Sequence, residues 1–156
     1  MLTRVAVLIA QLGLRAHPEG GWYAETFRSP SLVQPGDRRA HRAALTTIWF
    51  LLVHGTHSAW HRVESDESWH WYEGEPLELF LAPPDGGPTT RVLLGPLATG
   101  GTPQSVVPAG WWQAARPTGG YSLCGCAVGP GFDFADFALL RDVPIAQRPS
   151  LDPALL

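Results

Sequence analysis

Lysine is absent from this chain, and all eleven of its Lys/Arg cations are arginine. Chemistry through a lysine Schiff base is therefore closed to it. Charge of either sign is sparse, at 16% of residues with a net −3. The only basic cluster, Arg38-Arg39 with Arg42, falls short of a nucleic-acid footprint. Long apolar runs are missing too: no stretch approaches the roughly eighteen residues of a membrane span. Cysteine is limited to Cys124 and Cys126. Two apart in one extended segment, they are poorly placed to bridge and lack the further thiols of a metal knuckle. They read as small core hydrophobes of a reducing compartment. The apolar stretch Val5 to Ala10 is too short for a secretory leader, and no small-x-small cleavage site follows before His17-Pro18. These absences predict a cytoplasmic protein that engages neither nucleic acid nor membrane.

What is present describes a folded globule. Apolar residues make up 45% of 156 residues, enough for one domain over 1–156 with a sizeable core. Seventeen glycines and fifteen prolines point to many turns and short strands. Val5, Leu8, Ile9 and Leu12 recur at helical spacing, predicting an amphipathic helix over about 3–13 with Thr3 as N-cap. From residue 20 to 140 the chain reads as strands about ten residues apart, which predicts an all-β antiparallel sandwich or barrel. In the strand Trp22 to Arg28, alternation puts Trp22, Ala24, Thr26 and Arg28 on one face and Tyr23, Glu25 and Phe27 on the other. Ser29 to Arg42 reads as the most mobile loop. The proline-rich tail, 141–156, reads as laid along the surface or frayed.

The densest chemistry lies between Gly55 and Gly74. His61 follows Gly55 after five intervening residues, and six separate Glu67 from Gly74. Alternation puts His61 with Ala59 and Val63 on one face, and Glu67 with Trp69 and Trp71 on the returning strand. A hairpin at Glu64–Asp66 aims His61 and Glu67 into one interior. This spacing resembles the first signature of the cupin superfamily, except that Val63 stands where the second histidine is expected. Pro108-Ala109-Gly110 resembles the turn of the second signature, with Gln113 in place of its histidine and Pro117 in place of its asparagine. The segments His17–Ser29, His61–Leu77, Gln104–Ala114 and Val128–Phe137 resemble one branch in particular, the small single-domain Cupin_5 (DUF985) family. The resemblance implies a double-stranded β-helix, the jelly-roll cupin barrel, with a pocket inside and a homodimeric state. It also implies fold-level likeness to nucleotide-sugar epimerases and plant storage proteins.

Cupin metals are held by three histidines and a glutamate or by a two-histidine variant. Here the resemblance supplies only His61, Glu67 and the weak amide ligand Gln113, so no cofactor is expected, a divalent transition metal being the alternative. His70 falls on the opposite face by parity. Without a metal, His61 is expected to act as a base whose pKa Glu67 raises, with Tyr23 as acid. Trp69, Tyr72, Tyr121, Glu25, Gln104 and Gln113 are expected to bind substrate. His17, His41, His54 and His57, beside turns, read as solvated or capping. The sequence thus predicts an isomerase-, epimerase-, lyase- or cyclase-like enzyme acting on a small polar or sugar-like molecule. A non-catalytic binding protein and a metal-dependent oxygenase or isomerase are the competing classes.

Overall fold

A computed structural model describes residues 3–156. Helix α1, Arg4–Leu12, is capped by Thr3, whose hydroxyl accepts the Ala6 N–H, and it ends at Gly13. The helix propensity of so short a segment is marginal, so tertiary packing holds it. Its apolar stripe of Val5, Leu8, Ile9 and Leu12 lies against Leu51, Leu123 and Trp49. Arg4 anchors it further by a double contact with Glu73, at 2.6 Å to each oxygen. Among the described residues no helix is long and apolar enough to cross a membrane.

The rest is β-structure joined by turns. The strands are β1 Arg15–Ala16, β2 Trp22–Arg28, β3 Leu32–Val33, β4 Arg42–Ala43, β5 Thr46–Val53, β6 Ser58–Val63, β7 Asp66–Gly74, β8 Leu77–Ala82, β9 Thr90–Leu94, β10 Gln104–Val107, β11 Trp112–Pro117, β12 Tyr121–Gly129 and β13 Phe137–Leu139. They form a six-stranded sheet in the order β1-β2-β5-β12-β7-β10, a five-stranded sheet in the order β13-β6-β11-β8-β9, and the small pair β3-β4. The pairing is antiparallel, and the chain passes repeatedly from one sheet to the other, as in a jelly roll. Phe50, Leu52, Trp69, Leu77, Leu79 and Leu94 fill the space between the sheets. The Pro108-Ala109-Gly110 turn works as expected: Gly110, at φ 78°, donates its N–H to the Val63 carbonyl at 2.8 Å.

Two sequence expectations are corrected, and one left open is decided. Strand β2 does not alternate to its end, because its register against β5 shifts between Glu25 and Phe27. A bulge at Thr26 consumes one residue of the alternation and turns Arg28 to the same face as Tyr23 and Glu25. The segment from Ser29 to Arg42 is tethered. Arg39 and Arg42 converge on Asp136, at 3.2 Å and 2.8 Å, and all three side chains are largely buried. The tail lies along the surface with a firm anchor: Leu155 is buried, and the Trp60 indole N–H donates to the Asp152 carbonyl at 2.9 Å.

Candidate functional site

The inner faces of β2, β5, β12, β7 and β6 leave a cavity of about 310 Å³ between the sheets. That volume suits a small organic molecule. Alternation and the β6–β7 hairpin put His61, Val63, Glu67 and Trp69 on its wall, as the spacing predicted. The mouth is rimmed by Arg15, Glu25 and Arg28 and overhung by Phe132, Phe134 and Phe137.

A further buried polar group comes from outside the signature, on the turn before β2. There the His17 N–H donates to the Gly21 carbonyl, and the Ala59 N–H donates to the Glu19 carbonyl at 2.7 Å. The turn presses so closely on β6 that a Cβ on Gly20, at φ 108°, would stand 2.2 Å from the His57 carbonyl oxygen. Glu19 is thereby driven inward and is only 7% exposed. The Ser58 hydroxyl donates to its Oε1 at 2.7 Å. Its Oε2 stands 3.3 Å from His61 Nε2 and 3.4 Å from His17 Nδ1. His61 Nδ1 lies 2.8 Å from the Ala59 carbonyl, which can only accept, so this nitrogen carries the proton and Nε2 presents a lone pair. His17 Nδ1 accepts the Glu19 N–H at 3.2 Å, which occupies its one in-plane lone pair. The His61 lone pair thus faces Glu19 Oε2, an arrangement that calls for a proton on that oxygen.

Burial acts in the same direction. It raises the Glu19 carboxyl to about 8 against the Ser58 hydrogen bond, so the group is mostly protonated at neutral pH. Burial lowers His17 to about 4, with a smaller contribution from His61. His61 is lowered chiefly by burial, which outweighs the opposing pull of Glu67. Glu67 does pull His61 upward, as expected, but the net direction is down. Desolvation of a fully enclosed imidazole exceeds one neighbouring charge, and it is Glu19 that meets His61 Nε2.

Glu67 has its own support. Trp69 Nε1 donates to Gln113 Oε1 at 2.8 Å, which orients the amide so that Gln113 Nε2 donates to Glu67 Oε2 at 2.7 Å. Burial still raises the Glu67 carboxyl above the ordinary range. The Cys126 thiol faces it, and burial with that carboxylate pushes the thiol well up, so it stays protonated. Cys126 is thus a cavity-wall residue rather than only a core hydrophobe.

The predicted site divides. His61, Glu67, Trp69, Tyr23 and Glu25 line the cavity. Gln113 is buried behind Trp69 and Glu67 and positions them rather than binding substrate. Tyr72 is corrected to the outer sheet face: it packs on Trp49 at 5.5 Å and is 48% exposed. Gln104 is exposed and donates to Ser68 on that same outer face. Tyr121 belongs to the anchor of α1, its hydroxyl donating to Glu73 at 2.7 Å. His70 bonds Ser68 at 3.0 Å on the outer face, as parity predicted. The sequence reading missed His17 as a site residue, and missed Glu19, Arg15, Arg28 and the phenylalanine cover. Two titratable side chains bracketing a proline before Gly20-Gly21 were the available signal, because paired glycines mark close backbone approach.

The cupin metal set does not assemble here. Val63 has no donor, and the Gln113 amide is committed to Trp69 and to Glu67 Oε2. Among the described residues no group of three or more His, Cys, Asp or Glu is arranged to hold a metal ion.

Comparison with known proteins agrees with this architecture. A hypothetical protein from Leishmania major is 36% identical, with 85% of this chain and 84% of that one covered and a TM-score of 0.78. A protein from Shewanella oneidensis is also 36% identical, with 88% and 85% covered and a TM-score of 0.79. Oxalate decarboxylase from Bacillus subtilis shares the fold, at 11% identity, 83% and 31% coverage and a TM-score of 0.59. A comparison with curated proteins finds no match. The family profile described as Cupin superfamily (DUF985) matches residues 6–140, and the chain belongs to this family, Cupin_5.

Proposed function

We propose that this cupin is a metal-independent acid–base enzyme that moves a proton at carbon on a small organic substrate, as an isomerase, epimerase or lyase does. The observation that carries the reading is the Glu19 carboxyl set between two imidazoles, beside Glu67, in the wall of one cavity. Titratable groups pushed away from their ordinary values and facing a cavity are the usual material of proton transfer.

In this reading Glu67, ionised and oriented by Gln113, removes a proton from a carbon next to a carbonyl group. The C–H electron pair moves into the new carbon–carbon double bond, and the carbonyl pair moves onto oxygen. The trio His17–Glu19–His61 supplies the proton that this oxygen takes up, giving an enol. Glu67 then returns its proton to the other face of that carbon. The enol O–H returns its proton to the trio and the carbonyl re-forms, which completes an epimerisation with no net change in protons. A raised carboxyl pKa suits both roles, making Glu67 a stronger base and Glu19 an acid that still holds its proton at neutral pH.

The test is turnover of enolisable carbonyl substrates in deuterium oxide, with solvent deuterium entering the α-carbon as readout. Wild-type exchange, lost about 100-fold or more in Glu67→Gln and Glu19→Gln, is the expected result. Binding without exchange in any variant would overturn catalysis and leave a binding protein. The chain is further proposed to act in the cytoplasm as a homodimer. Phe27, Tyr72 and Val106, each about half exposed on the outer face of the six-stranded sheet, support association. Sedimentation equilibrium giving the mass of one chain would overturn it.

A further inference from the structure

The cavity contains more than the proton-transfer groups need. Tyr23, Phe50 and Trp69 form its sheet side, and Phe132, Phe134 and Phe137 form its cover. The cover rings pack on one another edge-on, Phe132 against Phe134 at 4.9 Å and Phe134 against Phe137 at 5.9 Å. Phe134 nevertheless leaves 52% of its surface open, apolar area at a pocket mouth that a ligand would cover. Such walls accept a flat unsaturated ring. A sugar would leave hydroxyls without partners along them, each costing about 1–3 kcal/mol.

The rim has a different chemistry. Arg28 is occupied: its Nε and Nη2 donate to Glu25 at 3.0 Å and 2.8 Å, and its Nη1 donates to the Phe132 carbonyl at 3.1 Å. Asp133 uses Oδ1 to accept the Ala135 N–H at 2.8 Å. Arg15 is the rim cation with no carboxylate in salt-bridge range among the described residues. It stands at the mouth because β1 pairs with β2 in the register Arg15↔Tyr23, which lays its guanidinium 5.1 Å from the Tyr23 ring centre. Burial keeps Glu19 protonated beside the ionised Glu67, so a second anion is disfavoured inside and an anionic group on a ligand belongs at the rim.

We propose that the ligand class is an aryl carboxylate: a planar ring between the two sets of aromatic side chains, and a carboxylate taken by Arg15 at the mouth. The proposal rests on the acid–base reading for what happens between those ends, over Glu67, but its recognition elements are separate residues. Arg15 is a specificity-determining residue, positioned by Tyr23, and the phenylalanine cover selects for the ring.

The test is equilibrium binding by calorimetry to the full chain, using benzoate, cinnamate and phenylpyruvate, each beside its primary amide. At least one acid is expected to bind about tenfold or more tighter than its amide, the size of one charge-assisted hydrogen bond. Arg15→Gln is expected to erase that preference and Arg15→Lys to restore part of it; Arg15 is exposed, so both variants fold. Glu67→Gln is expected to keep it. Equal affinity for acid and amide, an Arg15→Gln variant that binds like wild type, or no binding of any acid would each overturn the proposal. A charge preference that depends on Arg15, without deuterium exchange in the wild type, would instead uphold it and sink the acid–base reading alone.

Discussion

Glu19 shows how a side chain's surroundings set its chemistry. In water a glutamate is ionised at neutral pH; here burial holds a proton on it up to about 8, on the carboxyl that faces the His61 lone pair. The rate profile should therefore carry an alkaline limb near pH 8, where this proton is lost, and an acid limb above the ordinary glutamate range, where Glu67 gains one. In Glu19→Gln the alkaline limb should vanish while the acid limb stays, read from kcat/KM between pH 4 and 9. Gln113 makes a second case. Gln113→Leu strips partners from a buried indole N–H and a buried carboxylate together, so about 1–3 kcal/mol should be lost in urea unfolding. A loss below about 0.5 kcal/mol would mean those groups had found other partners. The sequence pointed to Gln113 by its place in the signature, but not to its task. Parity says which way a side chain faces, while partners across two sheets are set by pairing between β6, β11 and β8.

At the scale of elements, two irregularities matter more than the regular strands. The bulge at Thr26 brings Arg28 to the cavity rim, where it bonds Glu25 and the Phe132 carbonyl and so joins β2 to the aromatic cover. Strict alternation cannot foresee this, because a bulge is a property of the pair of strands and not of either alone. The cover itself is fastened behind Phe134 by Asp136, which accepts from Arg39 and from Arg42 at distances of 2.8–3.2 Å. Those arginines come from the segment that composition marked as mobile. Polar loops often move, but here two guanidinium groups have an enclosed carboxylate to hold. Asp136→Ala removes the shared acceptor and leaves Arg42 without a carboxylate, while Arg39 keeps Asp37, so stability should fall and the segment should loosen. Limited proteolysis should then begin between residues 34 and 43. Unchanged cleavage would show that the segment is held by other contacts. The turn His17–Gly21 behaves similarly: Gly20→Ala would push a Cβ against the His57 carbonyl and move Glu19 out of line with both histidines.

For the whole molecule the buried groups set opposing pH trends. Glu19 and Glu67 have pKa values raised by folding, so the stability they contribute is complete below the unfolded value near 4.5 and is lost as pH climbs, for Glu19 through about 8. His17 and His61 have pKa values lowered by folding; their contribution is complete above 6.5 and is lost as pH falls, for His17 through about 4. Between 4.5 and 6.5 the two trends oppose each other, and above 6.5 only the carboxyls act. The melting temperature should therefore decline from pH 6.5 to 8, and Glu19→Gln should flatten much of that decline. A wild-type curve that is level or rising over this interval would contradict the protonated Glu19.

Taken alone, the sequence determined the helix, the strand pattern, the family and the inward pair His61 and Glu67. All of these rest on local spacing: helical or alternating periodicity, turn residues, and a signature contained in one hairpin. Only the tertiary structure decided that Glu19, on a turn, is the carboxyl that meets His61. Only it sent Gln104 to the outer surface and Tyr121 to the helix anchor, and brought Arg15, Arg28 and the phenylalanine cover to the cavity mouth, whereas parity with His70 already turns Tyr72 outward. Those outcomes depend on register between strands distant in sequence, on a bulge and on desolvation inside a cavity, quantities that exist only once the two sheets have packed together.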